Sequence, residues 1–159
     1  MTTDIEASNL KLNRNQNIAR ALSGVLADTY ILMVKTQTVH WNVMGPLFKS
    51  VHDLSEEQYN DLFLAIDAIA ERIRALGEFT PRSFAEMQNS ARLVEETDPQ
   101  DAKRMLASLS DDHSVLAEQF RDLAELAGER SDGATEDLAN ARMAFHEQAT
   151  WMLNALQAD

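Results

Sequence analysis

At 159 residues the chain is the length of one domain and can bury a core without covalent staples. A hydrophobic content of 45% excludes a disordered tail, and five glycines with three prolines are too few for a turn-rich all-β protein. Fourteen basic against 26 acidic side chains leave a formal charge of −12, which repels nucleic acid and anionic membrane while attracting cations.

Met1–Gln16 is polar throughout and lacks a charged-then-apolar leader pattern, so residues 1–13 read as a short polar N-terminal tail. The longest apolar run, near Tyr30–Val34, is far too short to span a bilayer, and a cytoplasmic location is expected. From about Arg14 to Trp41, Ile18, Leu22, Val25, Leu32, Thr36 and Val39 fall on one stripe of helical period. Met44-Gly45-Pro46 breaks that helix. A second stripe carries Phe48, Val51, Leu62, Ile66, Ile69, Ile73 and Leu76, and Gly77 stops it. Glu78–Thr97 sustains no stripe, only a short helical turn around Phe84–Ala91. Asp98 followed by Pro99 reads as an N-cap and first helical residue. They open a third helix through Leu106, Leu109, Leu116, Phe120 and Leu123 to Gly128. Ser131-Asp132-Gly133 then caps a fourth helix carrying Leu138, Phe145, Ala149, Leu153 and Leu156.

Short links within each helix pair and a long bridge between the pairs predict an all-α fold. Residues 14–159 would form a single ferritin-like four-helix bundle, its long crossover containing a short helix between helices 2 and 3.

With no cysteine, metal chemistry falls to carboxylates and four histidines. His52 and Glu56 are four apart and share a helix face, as do Asp67 and Glu71. His40, at the end of the first helix, can approach His52 across the short link. The two second-helix pairs cannot serve one site in one chain. The rise from Glu56 to Asp67 is roughly 16 Å, and that from His52 to Glu71 about 28 Å. Metal–ligand bonds are about 2.0–2.3 Å. A joint site requires two chains, with His40, His52 and Glu56 of one facing Asp67 and Glu71 of the other across a two-fold axis. The Glu-x-x-His pattern of an intrasubunit di-iron site is absent. The competing reading is a structural bundle whose acids are only a solvated surface. His113 and His146 have no ligand at helical spacing and are expected as ordinary surface or interface residues, and the seven methionines as core filler.

His40-Trp41-Asn42, followed by His52, Glu56, Asp67 and Ala70-Glu71-Arg72, resembles the Dps family of mini-ferritins over essentially the whole chain. The resemblance implies a homododecameric shell that oxidises Fe²⁺ with hydrogen peroxide, or with dioxygen, and stores ferric mineral. It implies up to two irons at each centre between two-fold-related subunits. His40 and His52 would be ligands from one subunit, Asp67 and Glu71 from its partner. Glu56 stands where the family usually has Asp, and Asp53 or Glu57 could substitute for it. Trp41 matches the family's aromatic at the site, as an electron relay or as an interface packing residue. Asp132, Glu136 and Asp137, at the start of the last helix, would lie near iron-entry pores. Acids there also simply favour the positive end of a helix dipole.

Members of that family that compact DNA often carry a lysine-rich arm. Here Met1–Gln16 offers Lys11 and Arg14 against Asp4 and Glu6, so weak or absent DNA binding is expected. The alternative to the ferroxidase is an architectural DNA-protecting shell, nucleoid-associated and with little iron oxidation.

Overall fold

A computed structural model describes the backbone of residues 2–98 and 100–158, and the side chains among them from Asn15 onward. Five helices follow one another: α1 (Thr2–Asn42), α2 (Phe48–Ala75), α3 (Phe84–Ser90), α4 (Ala102–Glu129) and α5 (Gly133–Ala155). Among the described residues there is no strand. α1 packs along α2, α4 along α5, and α1 also lies against α4. This is the expected four-helix bundle, with α3 as the short helix of the crossover. No helix among the described residues is long and apolar enough to cross a membrane.

The predicted stripes form the core. Ile18, Leu22, Leu32, Leu62, Ile69, Ile73, Leu106, Leu116 and Phe120 are completely buried. Each such side chain contributes about 1.5–3 kcal/mol over its exposed state. Polar pairs set the register: Lys35 with Asp112 and Asp28 with Gln119 run α1 antiparallel to α4. Ser110 with Asn154 does the same for α4 and α5.

The helix ends follow local chemistry. Gly45 and Gly77 both take positive φ, at 97° and 93°. After α2, Glu78 N donates to Ile73 O at 3.3 Å and Gly77 N to Arg74 O at 3.0 Å, closing a Schellman motif. α4 ends with the same pair of bonds, Asp132 N to Ala127 O and Ser131 N to Gly128 O, but Ser131 occupies the left-handed position at φ 56°. The crossover returns to the bundle at one buried carboxylate. Asp28 accepts from the backbone N–H groups of Arg92 and Leu93 at 2.7 and 2.8 Å, and from Gln119 Nε2 at 2.7 Å.

Three expectations are corrected. α1 begins at Thr2, not near Arg14, and no glycine or proline precedes Gly24 to interrupt it. Asp101, not Asp98, caps α4, its side chain accepting from Arg104 N at 2.9 Å. Asp98 N bonds Glu96 Oε1 instead, and Pro99 lies outside the described residues. His113 and His146 are not surface residues, since both are 0% exposed. His113 sits between Leu109 and Leu116 on the buried face of α4, and His146 between Ala139 and Leu153 on that of α5.

Candidate metal centre

α1 runs to Asn42, whose side chain donates to Thr38 O, and the Gly45 turn reverses the chain into α2. The reversal lays the end of α1 against the first turns of α2, where His40 and His52 meet. Their rings stack with centroids 3.7 Å apart and planes at 17°. Each ring bonds the other residue's backbone: His40 Nδ1 lies 2.8 Å from His52 O, and His52 Nδ1 3.0 Å from His40 O. A carbonyl only accepts, so each Nδ1 carries the hydrogen, and the neutral tautomer compatible with that bond has its lone pair on Nε2. Backbone carbonyls that fix a histidine tautomer in this way are a usual support for metal ligands.

Neighbours one or two turns away on α2 complete the setting. Phe48 stacks on His52 at 5.1 Å, Tyr59 meets His40 edge-on at 5.3 Å, and the Ser55 hydroxyl is 3.3 Å from His40 Nδ1. The sequence reading missed all three. The signal was available, because Phe48, Ser55 and Tyr59 stand at −4, +3 and +7 from His52 on one helix face. His40 is 8% exposed and His52 half-buried, while Trp41, beside His40, is 67% exposed.

Glu56, Asp67 and Glu71 are exposed on α2, and among the described residues none of them forms an ion pair. Asp53, the possible substitute for Glu56, is paired with Lys49. α2 is one unbroken helix from Phe48 to Ala75, so the acids Asp67 and Glu71 stay about three and four turns beyond Glu56. Among the described residues no three His, Asp or Glu side chains converge within the subunit to hold an ion. The chain brings His40 and His52 together next to Glu56, and keeps Asp67 and Glu71 apart from them. Phe63, 63% exposed, lies between the two groups, seven residues after Glu56 and four before Asp67. Its neighbour Leu64 is 69% exposed.

At the far end of α2, Arg72 binds the start of α5. Its Nη2 lies 2.7 Å from Asp132 Oδ1 and its Nε 2.8 Å from Thr135 Oγ1. Asp132 is the N-cap of α5, and its side chain is largely buried. Glu136 is half-buried and Asp137 exposed.

Residues 19–159 match the ferritin-like domain. A DNA protection during starvation protein of Porphyromonas gingivalis is 33% identical over 151 residues, which is 95% of each chain. The chain belongs to the Dps mini-ferritins. An uncharacterised low-temperature-induced protein of Nostoc is 40% identical over 144 residues, covering 89% of this chain and 80% of its own. The crystal structure of a Dps protein from Vibrio cholerae superposes with a TM-score of 0.88 at 37% identity, covering 92% of both chains. That protein is described as a member of a superfamily of ferritin-like diiron-carboxylate proteins. Membership in a family with a relative among the diiron-carboxylate proteins makes the paired histidines and the exposed acids of α2 the candidate metal ligands of this chain.

Proposed function

We propose that the protein oxidises Fe²⁺ at centres shared between two-fold-related subunits and stores the product as ferric mineral inside a homododecameric shell. The observation that carries this reading is the reciprocal His40–His52 clamp. It leaves two Nε2 lone pairs beside Glu56 on a subunit whose other candidate ligands, Asp67 and Glu71, are too far down α2 to join them. The missing carboxylates come from a second copy. With the two α2 helices antiparallel, Asp67 and Glu71 of the partner subunit stand opposite His40, His52 and Glu56, and the exposed Phe63 and Leu64 pack near the axis.

The donor set suits iron, which imidazole and carboxylate oxygens bind while leaving positions open to an oxidant. Up to two Fe²⁺ occupy each centre as substrate. One hydrogen peroxide takes an electron from each and two protons, giving two Fe³⁺ and two water molecules. Dioxygen serves as a second oxidant. Trp41, exposed beside His40, relays electrons at the centre. Glu136 and Asp137, with Asp132 behind them, draw Fe²⁺ toward the shell by charge. The relatives named for DNA protection fit a route in which removing iron and peroxide does the protecting. The charge of −12 keeps direct DNA binding weak, in a cytoplasmic protein.

Peroxide-driven Fe²⁺ oxidation, followed by ferric absorbance, tests the site. The double substitution His40→Ala/His52→Ala should lower the rate at least ~10-fold, as loss of metal-site support usually does. A mass near twelve subunits should persist in solution. An unchanged rate would remove the histidines from the site, and a one- or two-subunit mass would remove the shell.

A further inference from the structure

The histidine pair buried in the bundle has no part in the iron site. His113 Nδ1 and His146 Nδ1 are 2.8 Å apart, joining α4 to α5 at mid-length. His146 stacks on Phe120 at 5.4 Å, and neither ring's buried Nε2 has a partner. Two neutral rings satisfy this bond in one way only: one Nδ1–H donates and the other Nδ1 accepts. The donor ring then keeps one free lone pair, on Nε2, and the acceptor ring carries its hydrogen on Nε2.

We propose that the His113–His146 pair is a proton-operated latch, closing the bundle while neutral and opening the subunit in acid. The first proton can land only on the donor ring's Nε2, and it leaves the bond intact. A second has only the bonded nitrogen to go to. It would set two N–H groups of two cationic rings face to face at 2.8 Å.

Among the described residues, no carboxylate near the pair is free to offset that charge. On α5, Arg142 lies one turn before His146, its guanidinium 4.2 Å from the Phe145 ring centroid, and adds a third cation. On α2, Asp61 is paired to Arg142. Because α2 and α5 run antiparallel with Asp61 opposite Arg142, Gln58 comes level with Phe145–His146. It is 4% exposed, neutral, and both its amide atoms lack partners. On α4, Asp112 precedes His113 but is paired to Lys35 of α1. Asp28 of α1 already serves three donors. The same imbalance argues against a metal at the pair, where a dication would meet Arg142 with no free carboxylate.

The electrostatics agree. Burial, reinforced by Arg142, pushes the His113 pKa down to about 3. Burial, then His113 and Arg142, hold His146 well below its ordinary value. In the unfolded chain both rings titrate near pH 6.5. The His113 contribution to stability is therefore complete above about pH 6.5 and is lost as pH falls toward about 3, and the His146 contribution is lost in the same acid direction. A histidine that is protonated only in the unfolded chain raises the unfolding constant about tenfold per pH unit.

The test takes the assembled protein from pH 8 to pH 3, following near-UV circular dichroism and solution mass. Histidine Cε1–H exchange read by mass spectrometry resolves each ring separately. His113 and His146 should stay neutral until a cooperative opening below pH 6.5. The substitution His113→Leu/His146→Phe should move that opening at least one pH unit lower. Equal midpoints, or either ring titrating near pH 6.5 in protein that is still folded, would overturn the proposal. If the double variant does not fold at neutral pH, the exchange profile of the unsubstituted protein decides alone. No iron enters the readout, so the outcome is separate from that of the ferroxidase reading.

Discussion

The Asp132 carboxylate accepts from the Arg72 guanidinium at 2.7 Å and from the Thr135 hydroxyl and backbone N–H at 2.6 and 3.2 Å. Burial alone would raise its pKa, but the Thr135 and Arg72 donors outweigh it and hold the carboxyl below the usual value. A residue that looks like pore lining in sequence thus also fastens α2 to α5. Asp132→Ala should lower stability by about 1–3 kcal/mol in chemical denaturation at pH 7, combining a lost cap with an unpaired Arg72. The sign of the pH effect follows from the lowered pKa. Asp132 contributes above the unfolded carboxylate value near 3.9 and loses that contribution as pH falls below it. The difference between the two proteins should therefore shrink in acid. His40 and His52 were legible at this scale as a pair across a short link. Their tautomer was not, because it depends on backbone carbonyls whose direction the spacing does not state.

The helices themselves were legible wherever burial imposes a period, which covers α2, α4, α5 and α1 from Ile18 onward. The ends were less so, since Asp98 and Asp101 are equally competent caps and only the three-dimensional path of the crossover chooses between them. His113 and His146 were misread for a different reason. A lone histidine invites a search for ligands, yet its position four residues after Leu109 already put His113 on the buried stripe. The Ser131 turn carries a prediction at this scale. A non-glycine residue in the left-handed region costs roughly 1–2 kcal/mol, while glycine's extra unfolded entropy costs about 0.4–1. Ser131→Gly should accordingly stabilise the α4–α5 hairpin by up to ~1 kcal/mol, read as a higher denaturation midpoint with an unchanged slope. A lower midpoint would mean that the Ser131 side chain makes compensating contacts.

For the whole molecule, the acid excess first suggested cations as partners, and the helix rise along α2 showed that one chain could not gather its own ligands. The fold keeps that separation and exposes Phe63 and Leu64 between the halves. Which second surface meets them was not legible from one chain's periodicity, because stripes report burial within a subunit and fall silent where an assembly does the burying. The proposed division of ligands between two copies has a genetic consequence. A subunit carrying His40→Ala/His52→Ala and another carrying Asp67→Ala/Glu71→Ala should each fail to oxidise iron alone. Refolded or expressed together, they should regain activity: in every mixed pair one centre receives intact histidines and intact acids, and the other receives neither. Activity recovered in the mixture, at no more than half the unsubstituted rate, is the expected result, and none recovered would mean that each subunit works alone. Under that division, lesions would be recessive or complementing according to which half they strike, so that two broken copies could make a working one.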